Sequence, residues 1–152
     1  MRIQSVALAA ALALVGGTAL AETIEVQMLN RGEQGAMVFE PSFVQAQPGD
    51  TIVFVPTDPG HNAESIEGLL PEGGETFEGD MGKEVSVTLT AEGLYGVECK
   101  PHAGMGMVAL IQVGAATNLE AVTAAAEELR GKAKERLTAN LGLVTDNVAA
   151  AQ

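Results

Sequence analysis

Cys99 is the one cysteine of the chain, and it stands in the run Tyr95-Gly96-Val97-Glu98-Cys99-Lys100-Pro101-His102-Ala103-Gly104-Met105-Gly106-Met107. A thiol, an imidazole and two thioethers fall there within nine positions. The chain has two histidines, and the other, His61, follows a turn-like Asp58-Pro59-Gly60. Soft thiolate and thioether suit Cu(I), whereas imidazole serves both oxidation states. Two histidines, one cysteine and a weakly held methionine are therefore the donor set of a blue-copper electron-transfer site.

Spacing leaves the methionine open. A Cys-x2-His-x4-Met loop uses Met107, and a Cys-x2-His-x2-Met loop uses Met105. Met107 opens the apolar, β-branched run to Val113 and can be held by a sheet, whereas two glycines flank Met105 at what reads as an exposed loop tip. That contrast favours Met107. Asn62, beside His61, is a candidate supporting group whose amide can hydrogen-bond the loop around Cys99 and join the two halves of the site.

Each residue alone has a plainer reading. A lone cysteine at a strand end is ordinarily a small core hydrophobe, and a methionine ordinarily packs. Both histidines and the sole cysteine fitting one geometry outweighs those readings. Three other chemistries compete. A copper chaperone or storage protein favours a Met- or Cys-rich Cu(I) site. A Cys-His hydrolase needs a group to orient the base, and none is evident. A structural zinc site ordinarily uses more cysteines or lacks the methionine.

These residues need elements to position them. Thr23 to Asn30 alternates with Ile24, Val26 and Met28 on one face, and Thr51 to Val55 is an apolar run after the turn signal Pro48-Gly49-Asp50. Glu84 to Thr90 alternates with Val85, Val87 and Leu89 inward, Leu94 to Cys99 follows Glu92-Gly93, and Met107 to Val113 ends at Gly114. Short strands with Gly/Pro punctuation and no helical pattern between them predict an antiparallel sandwich. Residues 63–83 read as an irregular connection with one short helix. After Gly114 the period changes. Thr117-Asn118-Leu119-Glu120 reads as a capping box with Thr117 as N-cap, and Leu119, Val122, Ala126 and Leu129 recur at helical spacing. Gly131 breaks that helix, and Lys132 to Leu141 reads as a second.

The first residues read as an export leader. Arg2 supplies a positive start, Val6 to Val15 is an apolar run too short to span a bilayer, and Ala19-Leu20-Ala21 is a small-x-small cleavage site. The expected organisation is a cleaved signal peptide over 1–21, a sandwich over 22–114 and a helical appendage over 115–152 packed on one side of it. No second long apolar run follows, so no membrane anchor is expected, and the leader points to the bacterial periplasm. One cysteine forms no internal disulfide, and a lone thiol in an oxidising compartment needs burial or ligation.

The chain carries twenty acids against eight bases, and loss of Arg2 leaves seven bases. From Glu22 to Gly114 there are fifteen acids and only Arg31, Lys83 and Lys100 as bases. Nucleic acid is not the partner of such a surface, because phosphate binding needs basic patches.

The signature Tyr95-Gly96-Val97-x-Cys99-x-Pro101-His102-x-x-Met105-Gly106-Met107 resembles the cupredoxins, and among them the pseudoazurins. The likeness extends to Met28-Leu29-Asn30, to Gly35-Ala36-Met37-Val38-Phe39-Glu40-Pro41, to Pro48-Gly49-Asp50, to Gly60-His61-Asn62 and to Leu70-Pro71-Glu72-Gly73. The resemblance implies an all-β Greek-key sandwich of about eight strands with two C-terminal helices and one type 1 copper. It implies ligation by His61, Cys99, His102 and Met107, with Met37 near the metal and Pro101 and Asn62 as supporting residues. It implies a periplasmic carrier of single electrons that docks transiently with a nitrite reductase or a c-type cytochrome; a monomer is expected, and one metal with no open position leaves no place for substrate, so no enzyme is expected. Relatives commonly carry lysines around the exposed histidine; here Glu98 precedes the cysteine, Asp58 lies near His61, and Lys100 is the main base.

Overall fold

The computed structural model describes residues 19–145; the apolar run Val6–Val15 of the expected leader lies outside them. Among the described residues, eight strands form two four-stranded sheets. The strands are β1 (Thr23–Gly32), β2 (Gly35–Glu40), β3 (Phe43–Ala46), β4 (Thr51–Val55), β5 (Glu64–Ser65), β6 (Val85–Thr88), β7 (Gly93–Glu98) and β8 (Val108–Val113). Two helices follow, α1 (Leu119–Glu128) and α2 (Gly131–Leu141). One sheet has the order β2-β1-β4-β6 and the other β3-β8-β7-β5. Every connection from β2 to β7 passes from one sheet to the other, and β7–β8 is a hairpin within one sheet.

The sheets are not purely antiparallel, as the sequence pattern predicts. β1 pairs β4 in parallel, and β3 pairs β8 in parallel. Alternation reports which face a residue takes and says nothing of strand direction, so this feature leaves no trace in the hydrophobic pattern.

The hairpin that carries the cysteine motif is buried on both faces. Side chains alternate across a strand, so Tyr95, Val97 and Cys99 of one arm and Met107, Ala109, Ile111 and Val113 of the other share the inner face. There they join Val26, Met28, Ile52 and Phe54 in the core between the sheets. The opposite parity, Leu94, Val108 and Leu110, faces outward and meets Val122, Ala126, Ala133 and Leu137 of the two helices in a second core. The helices therefore share packed apolar surface with the sheet that holds the motif.

Two local expectations are corrected. Thr117 does not cap α1: Asn118 is the N-cap, with no side-chain cap bond. Both side chains are committed to the β7 entry. The Thr117 hydroxyl donates to the Glu92 carbonyl, and Asn118 Oδ1 accepts from the Leu94 amide at 2.7 Å. Residues 63–83 contain no helix. The segment is pinned as extended chain by β5 pairing with β7 and by a bridge between Glu64 and Glu78.

Candidate metal centre

The site forms where β7 ends and β8 has not yet begun. Glu98 pairs with Val108, so Cys99 and Met107 are the next pair across the ladder. The Cys99 amide donates to the Met107 carbonyl at 3.0 Å. Between them lies a 3₁₀ turn, Lys100–Met105, with Pro101 in its first positions. A proline there loses no needed hydrogen bond, because the first amides of a helical turn have no internal partner. The turn brings the His102 amide to the Cys99 carbonyl at 3.0 Å and the Met107 amide to the His102 carbonyl at 3.1 Å. Cys99, His102 and Met107 are thus bonded in a ring through their own backbone.

His61 reaches the same place from the loop after β4. The Cys99 Sγ lies 3.7 Å from His61 Nδ1 and 3.5 Å from His102 Nδ1, and the two ring nitrogens are 3.1 Å apart. A point equidistant from the three donors of this triangle lies about 2.0 Å from each, close to the distances at which imidazole and thiolate hold a transition metal. His61, Cys99 and His102 form a metal-capable group among the described residues. His61, Cys99 and Met107 are wholly buried, whereas His102 is partly exposed. Met105 is 47% exposed, at the loop tip.

The protonation states suit the same end. His61 Nε2 donates to Asn30 Oδ1 at 2.8 Å, which leaves Nδ1 with its lone pair toward the triangle. Burial lowers the His61 pKa, with His102 acting the same way and Asp58 opposing. Burial pushes the Cys99 thiol up, against the backbone amides of Asn62 and His102. Both directions favour the uncharged forms of His61 and Cys99 when no metal is bound.

Asn62 joins the halves of the site. Its Oδ1 accepts from the Lys100 amide at 2.8 Å, and its Nδ2 donates to Glu64 Oε2 at 3.0 Å and to the Gly79 carbonyl at 3.2 Å. Pro101 is exposed beside His102. Met37, on β2, packs partly buried against the inner core and has a positive φ of 52°.

Sequence reasoning missed the roles of two residues that hold the site, Asn30 and Arg136. Asn30 orients His61, its own amide donates to Asp58 Oδ2 at 2.7 Å, and the Asp58 amide donates to the Met28 carbonyl at 3.1 Å, so several hydrogen bonds tie strand β1 to the His61 loop. Arg136, on α2, bonds the Gly106 carbonyl inside the motif loop at 2.8 Å. Chemical type marks neither Asn30 nor Arg136 as a metal-site residue, because each acts through another.

Comparison with known proteins agrees with this geometry. Residues 26–114 match the model of the copper binding proteins of the plastocyanin/azurin family. The chain is 53% identical to pseudoazurin of Paracoccus pantotrophus over 139 residues, which cover 91% of this chain and 94% of that protein. It is 48% identical over 117 residues to pseudoazurin of Methylorubrum extorquens, across 74% of this chain and 79% of that one. Among solved structures, native pseudoazurin from Hyphomicrobium denitrificans superposes with a TM-score of 0.74 at 44% identity, across 81% of this chain and 98% of that chain.

Proposed function

This chain belongs to the plastocyanin/azurin family of copper binding proteins, in its pseudoazurin branch, and from that premise we propose that it carries single electrons in the bacterial periplasm, with copper held by His61, Cys99, His102 and Met107. It is a blue-copper electron carrier with one type 1 copper and is not an enzyme. The observation that carries the ligand assignment is the triangle of His61 Nδ1, Cys99 Sγ and His102 Nδ1, with edges of 3.1 to 3.7 Å.

Copper, when bound, supplies a one-electron couple between Cu(I) and Cu(II). The protein supplies rigidity and a route. The Cys99–His102–Met107 backbone ring and the Asn62 and Asn30 side chains hold the donors where they stand, so little has to move when charge changes. Burial of His61, Cys99 and Met107 keeps water out. His102, the member that solvent reaches, is the exit for the electron, framed by exposed Pro101, Gly104 and Met105. A small apolar frame suits a partner that must come close and leave again.

The partner in this reading is a nitrite reductase or a c-type cytochrome with a basic docking surface. The acidic balance from Glu22 to Gly114 supports it. Beside the cysteine, Lys100 lies 3.7 Å from Glu64 and 3.6 Å from the exposed Glu78, so its charge is offset locally. A groove of ≈ 410 Å³ next to it is lined by Glu64, Glu67, Glu78, Leu70 and Phe77. The export leader over 1–21, a periplasmic location and a monomeric state complete the proposal. No helix among the described residues is long and apolar enough to cross a membrane.

Titration of the metal-free protein with Cu(II) tests the reading. One equivalent is expected to produce an intense visible thiolate-to-copper band that ascorbate bleaches and an oxidant restores. A colourless product overturns it.

A further inference from the structure

We propose that Arg136 is a positioning residue of the copper site, a clamp by which helix α2 fixes the peptide leading into Met107 against the strand that carries Met37. The proposal rests on the assignment of His102 and Met107 as ligands.

One guanidinium binds four backbone carbonyls. Nη1 donates to Gly106 and Met37, both at 2.8 Å, and Nη2 donates to Gln34 and Ala36, both at 3.1 Å. Gln34, Ala36 and Met37 belong to the turn and start of β2, whereas Gly106 lies in the motif loop. Among the described residues no other hydrogen bond joins these two segments. A planar fork with five N–H donors can serve four acceptors at once; an ammonium has three and no fixed plane.

The bond to Gly106 matters because of what shares its peptide. The Gly106 carbonyl and the Met107 amide belong to one rigid plane. Arg136 holds the oxygen of that plane, and the His102 carbonyl holds its N–H at 3.1 Å. The plane between the two ligand residues is therefore gripped at both ends. Helix α2 also lies directly on it. Gly106 has φ +87°, and a Cβ there would sit 2.6 Å from Lys132 Cβ and 3.0 Å from its backbone. At the other end of the clamp, Met37 is held in the left-handed region, with φ 52°, a strained conformation for a residue with a side chain that persists only where its surroundings hold it.

The same helix has anchors that do not touch the site. Leu137 is buried in the outer core, and Asn140 donates to the Ser42 carbonyl at 2.9 Å and accepts from the Ser42 hydroxyl at 3.2 Å. Loss of Arg136 should therefore loosen the loop and leave the helix docked.

The test compares Arg136→Lys, Arg136→Gln and Asn140→Ala in the copper protein. Both Arg136 variants are expected to shift the reduction potential and the intensity ratio of the visible copper bands. They should also speed hydrogen exchange of the Met107 amide in the reduced protein by about tenfold or more. Arg136→Lys keeps the charge and so separates the clamp from simple electrostatics; no rescue by lysine is expected. Asn140→Ala should lower the melting temperature and leave potential, spectrum and Met107 exchange as in the parent. The proposal is overturned if Arg136→Lys matches the parent in all three readouts, or if Asn140→Ala reproduces the shifts. Should Arg136→Gln fail to fold, Arg136→Lys decides alone. A parent protein with no visible band would sink the ligand assignment instead, and Met107 exchange would still report on the clamp.

Discussion

The two faces of the β7–β8 hairpin are both buried, yet they hold different chemistry. The inner face ends in Cys99 and Met107, next to two imidazoles and the amides that orient them. The outer face is aliphatic and packs Leu94, Val108 and Leu110 against Leu137 and Val122. Two polar residues share that face: Glu98 at its half-buried end and the buried Gln112, which donates to the Gly114 and Thr145 carbonyls and accepts from the Thr145 amide. A redox site gains from this division. The outer face adds a second packed core to the strands that carry the proposed ligands.

Substitutions should separate the two faces. The largest effect belongs to the inner face: Cys99→Ser is expected to abolish the intense visible band outright, read by titration with Cu(II), because the thiolate is its source. On the outer face, Leu137→Ala removes a wholly buried side chain and should cost about 2–5 kcal/mol in chemical denaturation. The spectrum of that variant should stay unchanged below its unfolding transition; a spectral change would mean that the faces are not separable. Asn62→Ala straddles the division. It leaves the buried side of Glu64 and the Lys100 amide without their partner, so it should cost about 1–3 kcal/mol and also move the copper bands.

A smaller effect concerns alkaline pH. Tyr95, on the inner face away from the ligands, is buried with its hydroxyl donating to the Ala91 carbonyl at 2.7 Å. Burial raises its pKa above 10.0, and Glu75 adds to the rise. The folded chain then keeps a proton that the unfolded chain gives up, so this contribution is complete below the unfolded pKa and falls away as pH rises past it. Tyr95→Phe should flatten the loss of stability above about pH 10 in denaturation measured against pH. The smallest effect belongs to the surface. If acidic residues steer docking, electron transfer with a basic cytochrome should slow a few-fold as salt rises from low ionic strength, measured by stopped flow. Salt-independent rates would leave those charges a purely solvating role.

What sequence reasoning could reach divides along similar lines. Cys99, His61 and His102 stood out because the chain has one cysteine and two histidines. Met107 could be preferred over Met105 because a strand follows it, and the structure buries the first and exposes the second. Alternation exposed the inner core, and helical spacing revealed α1 and α2. The parallel pairing of β1 with β4 and of β3 with β8 was illegible because it depends on chain direction alone. The capping box at Thr117 failed because its side chain found a tertiary partner in Glu92, which a local motif cannot anticipate. The role of Arg136 was invisible for a related reason: it reaches carbonyls about a hundred residues away, and a bond to backbone selects no residue type at its far end.

The most direct measurement is a crystal structure of the copper-loaded protein. The expected result is one copper inside the triangle of His61 Nδ1, Cys99 Sγ and His102 Nδ1, with the Met107 sulfur as the fourth and more distant neighbour. Copper bound elsewhere, or capped by Met105 with Met107 turned away, would contradict the account.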